Sequence, residues 1–169
     1  MPPPKSRDDL FSCLDQLGIK TRTLDHPAVF TVVESHEIEA ALPGGHTKNL
    51  FLKDAKDRLF LVVALNNTGV DLKRLPAAIG SARLSFGKAE LLLDVLGVTP
   101  GSVTVFSLIN DPVHRVNVVL DSALMAFDTI NAHPLENTAT TSIARADLLR
   151  FIEACGHVPN IVPLDGATA

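Results

Sequence analysis

The longest apolar run in the chain is LFLVVAL, which ends at Leu65. A run that is apolar at every position is typical of a central strand covered on both faces. A second run, Lys48 to Lys53, precedes it, and the polar tetrapeptide Asp54 to Asp57 separates the two. This spacing indicates a hairpin. The sequence therefore predicts two paired strands, Lys48 to Lys53 and Arg58 to Leu65, in the middle of a sheet.

Helix signals flank this pair. Ser6 is placed to cap a helix whose apolar stripe is Leu10, Leu14 and Leu17, and which ends at Gly18. Thr31 with Glu34 three residues later is a capping-box pattern, and it predicts a helix that runs to about Leu42. Further helices are predicted around Asp71 to Ile79, Lys88 to Leu96 and Ala146 to Ala154. Further strands are predicted at Ile19 to Leu24, Val103 to Leu108, Arg115 to Leu120, Thr138 to Ile143 and His157 to Val162.

The predicted strands come in hairpin-like runs, and helices are interspersed irregularly between them. This order favours an α+β fold over a repeating βαβ sheet. No internal repeat or interdomain linker is present in the sequence. We therefore predict one domain over residues 8–162, preceded by a flexible lead over residues 1–7 and followed by a tail over residues 163–169.

Composition narrows the class of protein. Apolar residues make up 46% and charged residues 20% of the 169 residues, as in an ordinary globular domain. The formal net charge of −4 argues against DNA and against coating of nucleic acid, because such binding neutralises many phosphates. A local basic patch that meets one RNA end remains open. Candidates for it are Lys73, Arg74, Arg83 and Lys88, although a solvated helix face explains them equally well.

Metal, disulfide and membrane chemistry are not expected. Cys13 and Cys155 lie far apart in the sequence, and no two of the six histidines stand four residues apart as metal ligands often do. No apolar run approaches the roughly 20 residues of a membrane helix, and the N-terminus lacks the apolar core of a signal peptide. We expect a cytoplasmic protein without cofactor, metal or membrane partner.

Lys48 is the first candidate for chemistry. Strand alternation places Lys48, Leu50 and Leu52 on one face, and Asn49 and Phe51 on the other. One interpretation is an edge lysine whose ammonium reaches water along its aliphatic stem. The other is a fixed positive charge at the mouth of a pocket, where it can bind a phosphate or an oxyanion.

Two other segments carry candidate groups. The loop LGVTPGS, Leu96 to Ser102, contains the turn pair Pro100-Gly101, with Gly101 at a position that tolerates positive φ. It is either a simple turn or a source of backbone N–H groups for an anion. The segment NAHPLENTATT gathers His133, Asn137 and three threonines, and it is either a polar strand edge or part of a site. Pro134 restricts the backbone of His133, which helps to hold that side chain in place.

Together, TKNLFLKD from Thr47, LGVTPGSVT from Leu96 and HPLENTATT from His133 resemble the YbaK/ProX family of aminoacyl-tRNA editing domains. The likeness is nearest to the free-standing alanyl-tRNA(Pro) deacylases, relatives of the editing insertion of bacterial prolyl-tRNA synthetase. The three motifs occur in the family's order, and the resemblance runs from about Asp8 to Val162. It implies a curved, barrel-like mixed sheet flanked by helices, around a pocket for the 3′ end of tRNA.

The resemblance also implies an activity and a set of site residues. Family members hydrolyse the ester between a wrong amino acid and the terminal ribose of tRNA. The likeness implies catalytic roles for Lys48, Gly101 and Ser102. It implies substrate-binding roles for Asn49, Thr99, Pro100, His133 and Asn137.

The expected activity is trans-editing of mischarged tRNA(Pro), foremost Ala-tRNA(Pro), with prolyl-tRNA synthetase as a further partner. Two alternatives stay open. One is a deacylase for Cys-tRNA(Pro) or another small aminoacyl-tRNA. The other is a non-catalytic module on the same fold that binds the tRNA end, since a fold alone does not determine function.

Overall fold

The computed structural model describes residues 3–28 and 32–164, and the side chains of all of these except residues 32–34. Eight strands form one mixed sheet in the order β1-β7-β6-β2-β3-β5-β8, with β4 paired to β2. The strands are β1 (Thr21–Asp25), β2 (Gly45–Asp54), β3 (Leu59–Leu65), β4 (Leu84–Phe86), β5 (Val116–Asp121), β6 (Thr129–Ala132), β7 (Ala139–Ala144) and β8 (Asn160–Val162).

Helices cover both faces of this sheet. The α-helices are α1 (Arg7–Gln16), α2 (Val32–Ala41), α3 (Leu75–Ile79), α4 (Ala89–Leu96) and α5 (Arg145–Ala154), and short 3₁₀ helices span Pro100–Ser102, Val105–Asn110 and Ser122–Ala126. None of the helices in the described ranges is long and apolar enough to cross a membrane. The predicted α+β class with a mixed sheet flanked by helices is confirmed.

The centre of the sheet is the predicted hairpin. β2 and β3 are antiparallel, with Lys48 opposite Ala64 and Phe51 opposite Leu61. β3 also pairs with β5 in parallel, so it has a neighbour on each edge. Six of its seven residues are buried. The prediction of a central strand covered on both faces is confirmed.

Side chains of alternate residues along β2 and β3 enter two separate cores. The larger core includes Phe51, Leu61 and Val63, and α1, α4 and α5 pack their apolar stripes against it. The smaller core, on the opposite face, includes Leu52 and Val62, and α3 packs there. The period-2 alternation of strand side chains produces this division.

The predicted strand at Val103 to Leu108 is wrong, because a 3₁₀ helix, Val105–Asn110, occupies it. Thr104 caps this helix by accepting a hydrogen bond from the Phe106 backbone N–H, and the Ser107 hydroxyl donates to the Thr104 carbonyl. Side-chain hydrogen bonds to nearby backbone groups favour turns over strands. Short apolar runs do not separate the two possibilities by pattern alone.

The folded domain extends beyond both predicted boundaries. Ser6 caps α1 in a reciprocal capping box with Asp9, so the predicted cap is confirmed and the lead ends before residue 7. Lys5 N–H also donates to Asn110 Oδ1 at 2.7 Å. At the other end, Leu164 is buried in the smaller core, two residues past the predicted limit. The capping box predicted at Thr31 and Glu34 lies outside the described side chains, whereas the helix it predicts is present as α2.

Candidate active site

An opening interrupts one edge of β2. β3 occupies the other edge, from Thr47 to Lys53. On the interrupted edge β2 pairs with β6 at Gly45 and His46 and with β4 from Leu52 to Asp54. The strands that the structure describes leave residues 47–50 of this edge without a strand partner, and at residue 51 the Phe51 carbonyl accepts from the Gly87 N–H. Sheet edges without a partner leave backbone hydrogen-bonding groups free for other use.

Lys48 lies in this opening and is partly buried. Its neighbours on the same face, Leu50 and Leu52, pack in the smaller core, so the predicted alternation is confirmed. Among residues 3–28 and 35–164, no carboxylate forms an ion pair with the Lys48 ammonium. The Lys48 ammonium is thus a cation next to apolar side chains, and it has no protein counter-ion in this part of the chain. Such a cation is suited to attract an anionic ligand.

His133 follows the end of β6, on the side of the opening where β6 leaves β2. His46 of β2 pairs in parallel with Asn131 of β6. Lys48 lies two residues after His46 in the sequence, and His133 lies two residues after Asn131. His133 Nδ1 lies 2.8 Å from the Ala139 carbonyl oxygen. Because a carbonyl only accepts, Nδ1 carries the proton and Nε2 is the acceptor. The backbone thus orients the ring and selects its tautomer.

The surroundings of His133 keep it neutral. Burial lowers the pKa of His133 below its ordinary value. The Ala139 carbonyl opposes this shift, while His26 and His46 add to it by charge repulsion. At neutral pH the ring therefore presents an uncharged Nε2 lone pair.

Sequence reasoning missed His26, which lies beside His133 with 6.4 Å between ring centroids. His26 Nδ1 is 2.8 Å from the Pro27 carbonyl, and Nε2 is 2.8 Å from Thr140 Oγ1. The carbonyl again selects the Nδ1-protonated tautomer, so the Thr140 hydroxyl donates to Nε2. The available signal was a repeated pair, since His26 precedes Pro27 as His133 precedes Pro134.

The loop after α4 forms a tight 3₁₀ turn, Pro100–Ser102, and corrects two expectations. The backbone N–H of Ser102 donates to the Thr99 carbonyl at 2.9 Å, so in this conformation it is engaged inside the turn. Gly101 does not have a positive φ, unlike five other glycines of the described chain. Left-handed backbone therefore does not explain the glycine. Thr99 and Pro100 are exposed at the start of the turn.

A close approach explains Gly101 instead. A Cβ placed on Gly101 would lie 3.3 Å from the side-chain Nδ2 of Asn137, tighter than most real contacts. The turn after α4 therefore packs directly on the segment that carries His133. The structure brings two of the three predicted segments into contact, and the third, β2, adjoins them through β6.

Asn49 is partly buried, and its buried Oδ1 atom is an unused acceptor. Its Oδ1 has no hydrogen-bond partner among the described residues. Asn49 lies on the face of Phe51, opposite to that of Lys48. An unsatisfied buried acceptor costs about 1–3 kcal/mol, so a donor on a ligand would recover free energy there.

The described residues include no candidate metal-binding cluster. They contain no group of three or more His, Cys, Asp or Glu side chains able to hold a metal ion. The site is instead a cation, a neutral imidazole, amide groups and a backbone turn at an interrupted sheet edge.

The fold and this site define a class. The family model described as "Aminoacyl-tRNA editing domain" matches residues 26–151, a span that contains β2, the Pro100–Ser102 turn and the segment from His133 to Asn137. The chain belongs to this family. The resemblance of the three sequence motifs is thereby confirmed.

Relatives cover nearly the whole chain. The chain is 40% identical over 165 residues to a prolyl-tRNA synthetase associated domain-containing protein 1 from Danio rerio, covering 96% of this chain and 90% of the relative. It is 36% identical to a prolyl-tRNA editing protein ProX from Acetoanaerobium sticklandii, covering 89% and 93%. A solved structure described as a candidate trans-editing enzyme for prolyl tRNA synthetase superposes with a TM-score of 0.70 at 18% identity, covering 96% and 98%. The last comparison bears on the fold alone.

Proposed function

We propose that this protein is a trans-editing deacylase that hydrolyses the ester of mischarged tRNA(Pro), with Ala-tRNA(Pro) as its main substrate. The observation that carries the proposal is the position of Lys48, a cation without a described counter-ion in the opening of β2. Family membership and the name of the ProX relative support an editing activity on prolyl-tRNA. We also propose prolyl-tRNA synthetase as a protein partner, which the name of the Danio rerio relative supports, and the cytoplasm as the location.

In this proposal, Lys48 and the Pro100–Ser102 turn stabilise the negative charge that develops during the reaction. In ester hydrolysis the carbonyl oxygen becomes an oxyanion, and donors already in place stabilise it without reorganisation. Lys48 supplies a positive charge to that oxygen or to the terminal phosphate. From the turn, Gly101 is the donor we assign, because the Ser102 N–H is already bonded to Thr99. Ser102 is buried and holds the turn closed.

An acceptor on the other side of the opening positions the substrate. His133 Nε2 accepts from a ribose hydroxyl or the amino group of the aminoacyl end. Asn137, against Gly101, fixes the width of the gap between turn and strand, while Thr99 and Pro100 form its exposed rim. We assign no carboxylate as general base, and we assign the orientation of the attacking water to a ribose hydroxyl of the substrate. Aminoacyl esters are already activated, so orientation and charge stabilisation supply most of the acceleration.

Selectivity for alanine has two sources in this proposal. A pocket that admits alanine excludes proline by size, and one or two methylene groups are worth only about 1–3 kcal/mol. Recognition of tRNA(Pro) itself must therefore add to the discrimination. The amino-acid pocket and the tRNA contacts are separate determinants and can be measured separately.

A deacylation panel tests this function. Purified protein is mixed in excess with alanyl-, cysteinyl-, seryl- and prolyl-tRNA(Pro), and single-turnover rates are compared with spontaneous hydrolysis. We expect the fastest cleavage for alanyl-tRNA(Pro) and background rates for prolyl-tRNA(Pro). Faster cleavage of cysteinyl-tRNA(Pro) would make the protein a cysteinyl deacylase. Background rates for all four, with tRNA still bound, would reduce it to a binding module.

A further inference from the structure

We propose that the exposed ring of Phe86 is a stacking platform for a base of the single-stranded 3′ end, upstream of the terminal nucleotide. This inference rests on the proposed function, because it extends the same site along the RNA. It assigns a role to β4, a strand that the sequence patterns did not predict. The partner is single-stranded RNA, recognised through a base and its phosphates.

Phe86 is unusual in its exposure. Among the described residues five large apolar side chains are exposed, and Phe86, at 63%, is the one aromatic ring. Exposed aromatic rings beside positive charge are what proteins use to stack successive bases of single strands. The other four are Leu93, Val113, Val158 and Ile161.

The register places Phe86 on the face of Lys48. Phe86 pairs with Leu52 across the antiparallel β2–β4 ladder, and directly opposite residues share a face. Leu52 shares its face with Lys48, four residues earlier on the strand. At about 3.4 Å per residue the two positions are roughly 14 Å apart along β2. With the ester at Lys48, Phe86 is too far for the terminal ribose and lies where preceding nucleotides would run.

The opening in β2 joins the two positions. Its β6 end carries His133, and its β4 end carries Phe86. Between them Leu50 is partly buried on the same face. A strand of RNA that leaves the site at the β6 end therefore meets an apolar surface and then the ring.

The backbone that carries the ring is fixed before any ligand binds. Gly87 N–H donates to the Phe51 carbonyl at 2.9 Å, directly after the β2–β4 pairs. A Cβ on Gly87 would lie 2.4 Å from the Phe51 ring, so only glycine allows this packing. The backbone on both sides of Phe86 is thus tied to β2, which reduces the entropy lost on binding.

The charges around Phe86 favour RNA. Arg83 and Lys88 flank β4 and are exposed, and neither forms an ion pair with a carboxylate among the described residues. Of the nearby acids, Asp57 pairs with Lys53 at 3.1 Å and Glu90 lies in the first turn of α4. Two cations that flank the strand of an exposed ring in the sequence, without ion pairs among the described residues, complement the phosphates of an RNA strand whose base stacks on the ring. These two cations form a local positive region on a protein whose overall formal charge is −4.

Fluorescence gives a direct test, because the chain contains no tryptophan. Phe86→Trp introduces a single reporter, which is titrated with a short unstructured RNA that ends in CCA. We expect quenching that saturates and weakens with added salt. Val158→Trp, at a residue 90% exposed outside the proposed surface, is the matched control and should show no saturable quenching. Equal responses of the two reporters, or none from Phe86→Trp, would overturn the proposal.

Kinetics separates stacking from other uses of an apolar side chain. Phe86→Leu keeps apolar area but removes the aromatic face, and it should raise KM for Ala-tRNA(Pro) about tenfold with little change in kcat. Phe86→Tyr should restore KM, and hydrolysis of alanyl-adenosine should be unchanged in every variant. Unchanged KM in Phe86→Leu, or an oligomeric state that changes with this substitution, would instead assign the ring to protein contacts.

The two proposals fail separately. Saturable quenching in Phe86→Trp, together with no hydrolysis of any aminoacyl ester by the unmodified chain, would retain the RNA surface and reject the deacylase. Normal hydrolysis by the unmodified chain, together with an unchanged KM in Phe86→Leu, would retain the deacylase and reject the RNA surface.

Discussion

The backbone of Gly101 lies against the side chain of Asn137, so close that an added Cβ would stand 3.3 Å from Nδ2. This contact joins the turn after α4 to the segment that follows β6. The sequence indicated a glycine for its freedom of φ, but Gly101 has no positive φ, and a Cβ there would make a tight contact with the Asn137 amide. The width of the proposed active site therefore depends on this residue pair.

The first prediction follows from this contact. Gly101→Val should reduce single-turnover deacylation of Ala-tRNA(Pro) roughly a hundredfold, the cost of one lost oxyanion donor, because the branched side chain displaces Asn137 and the turn. Ser102→Ala should be much milder, since the backbone bond from Ser102 to Thr99 survives. Thermal melts check that both variants fold. Equal, small losses would mean that the turn only connects α4 to the next helix.

The second prediction concerns pH. Neutral His133 is the form that accepts a hydrogen bond at Nε2, and its pKa lies below the ordinary 6.5 because of burial. The single-turnover rate, corrected for spontaneous hydrolysis, should therefore be insensitive to His133 above that value and fall as the ring gains a proton in more acidic buffer. His133→Asn should have a low rate without this acidic decline. A break in the wild-type profile above 6.5, or one that persists in His133→Asn, would contradict the assignment.

The third prediction concerns the tip of the β2–β3 hairpin. Asp54 accepts from the backbone N–H groups of Lys56, Arg58 and Ala82 and from the Arg58 guanidinium. Burial raises the pKa of Asp54, but these hydrogen bonds outweigh it and lower the pKa to about 2. A depressed carboxyl pKa stabilises the fold above the unfolded value of 3.8, and this contribution disappears as pH falls through about 2.

Asp54→Asn should therefore lower the melting temperature at neutral pH by several degrees, and the difference from wild type should shrink between the two pKa values. Asp57→Asn is the control, because its carboxylate makes an exposed ion pair with Lys53. Its effect should be small at every pH. A difference for Asp54→Asn that stays constant down to the acid limit would contradict the hydrogen-bond account.

Sequence patterns correctly predicted those helices and strands that are determined by residues close together in the chain. The Ser6 cap and the apolar run of β3 follow from neighbouring residues, and both are present. β4 and β6 were missed because they are three and four residues long, and their pairing with β2 links distant parts of the chain. Sequence periodicity has too few positions in such strands to show the alternation.

The candidate site was likewise predicted in part and missed in part. Lys48, the turn and His133 were predicted as separate segments. The fold places Lys48 and His133 at the same end of the opening, and it packs the turn against Asn137, in the segment that carries His133. His26 was missed because its role depends on β1 pairing with β7, which places it beside Thr140 and His133. The engagement of the Ser102 N–H was equally invisible, because a Pro-Gly turn does not reveal which N–H groups it uses internally.

The central claim is that Lys48 is a working group of an Ala-tRNA(Pro) deacylase rather than a solvated edge lysine. The most direct measurement compares single-turnover deacylation of Ala-tRNA(Pro) by wild type, Lys48→Ala and Lys56→Ala, the last at an exposed residue of the hairpin tip. We expect a loss of at least about a hundredfold in Lys48→Ala with an unchanged melting temperature, and wild-type rates in Lys56→Ala. Near-wild-type turnover by a folded Lys48→Ala protein would contradict the account.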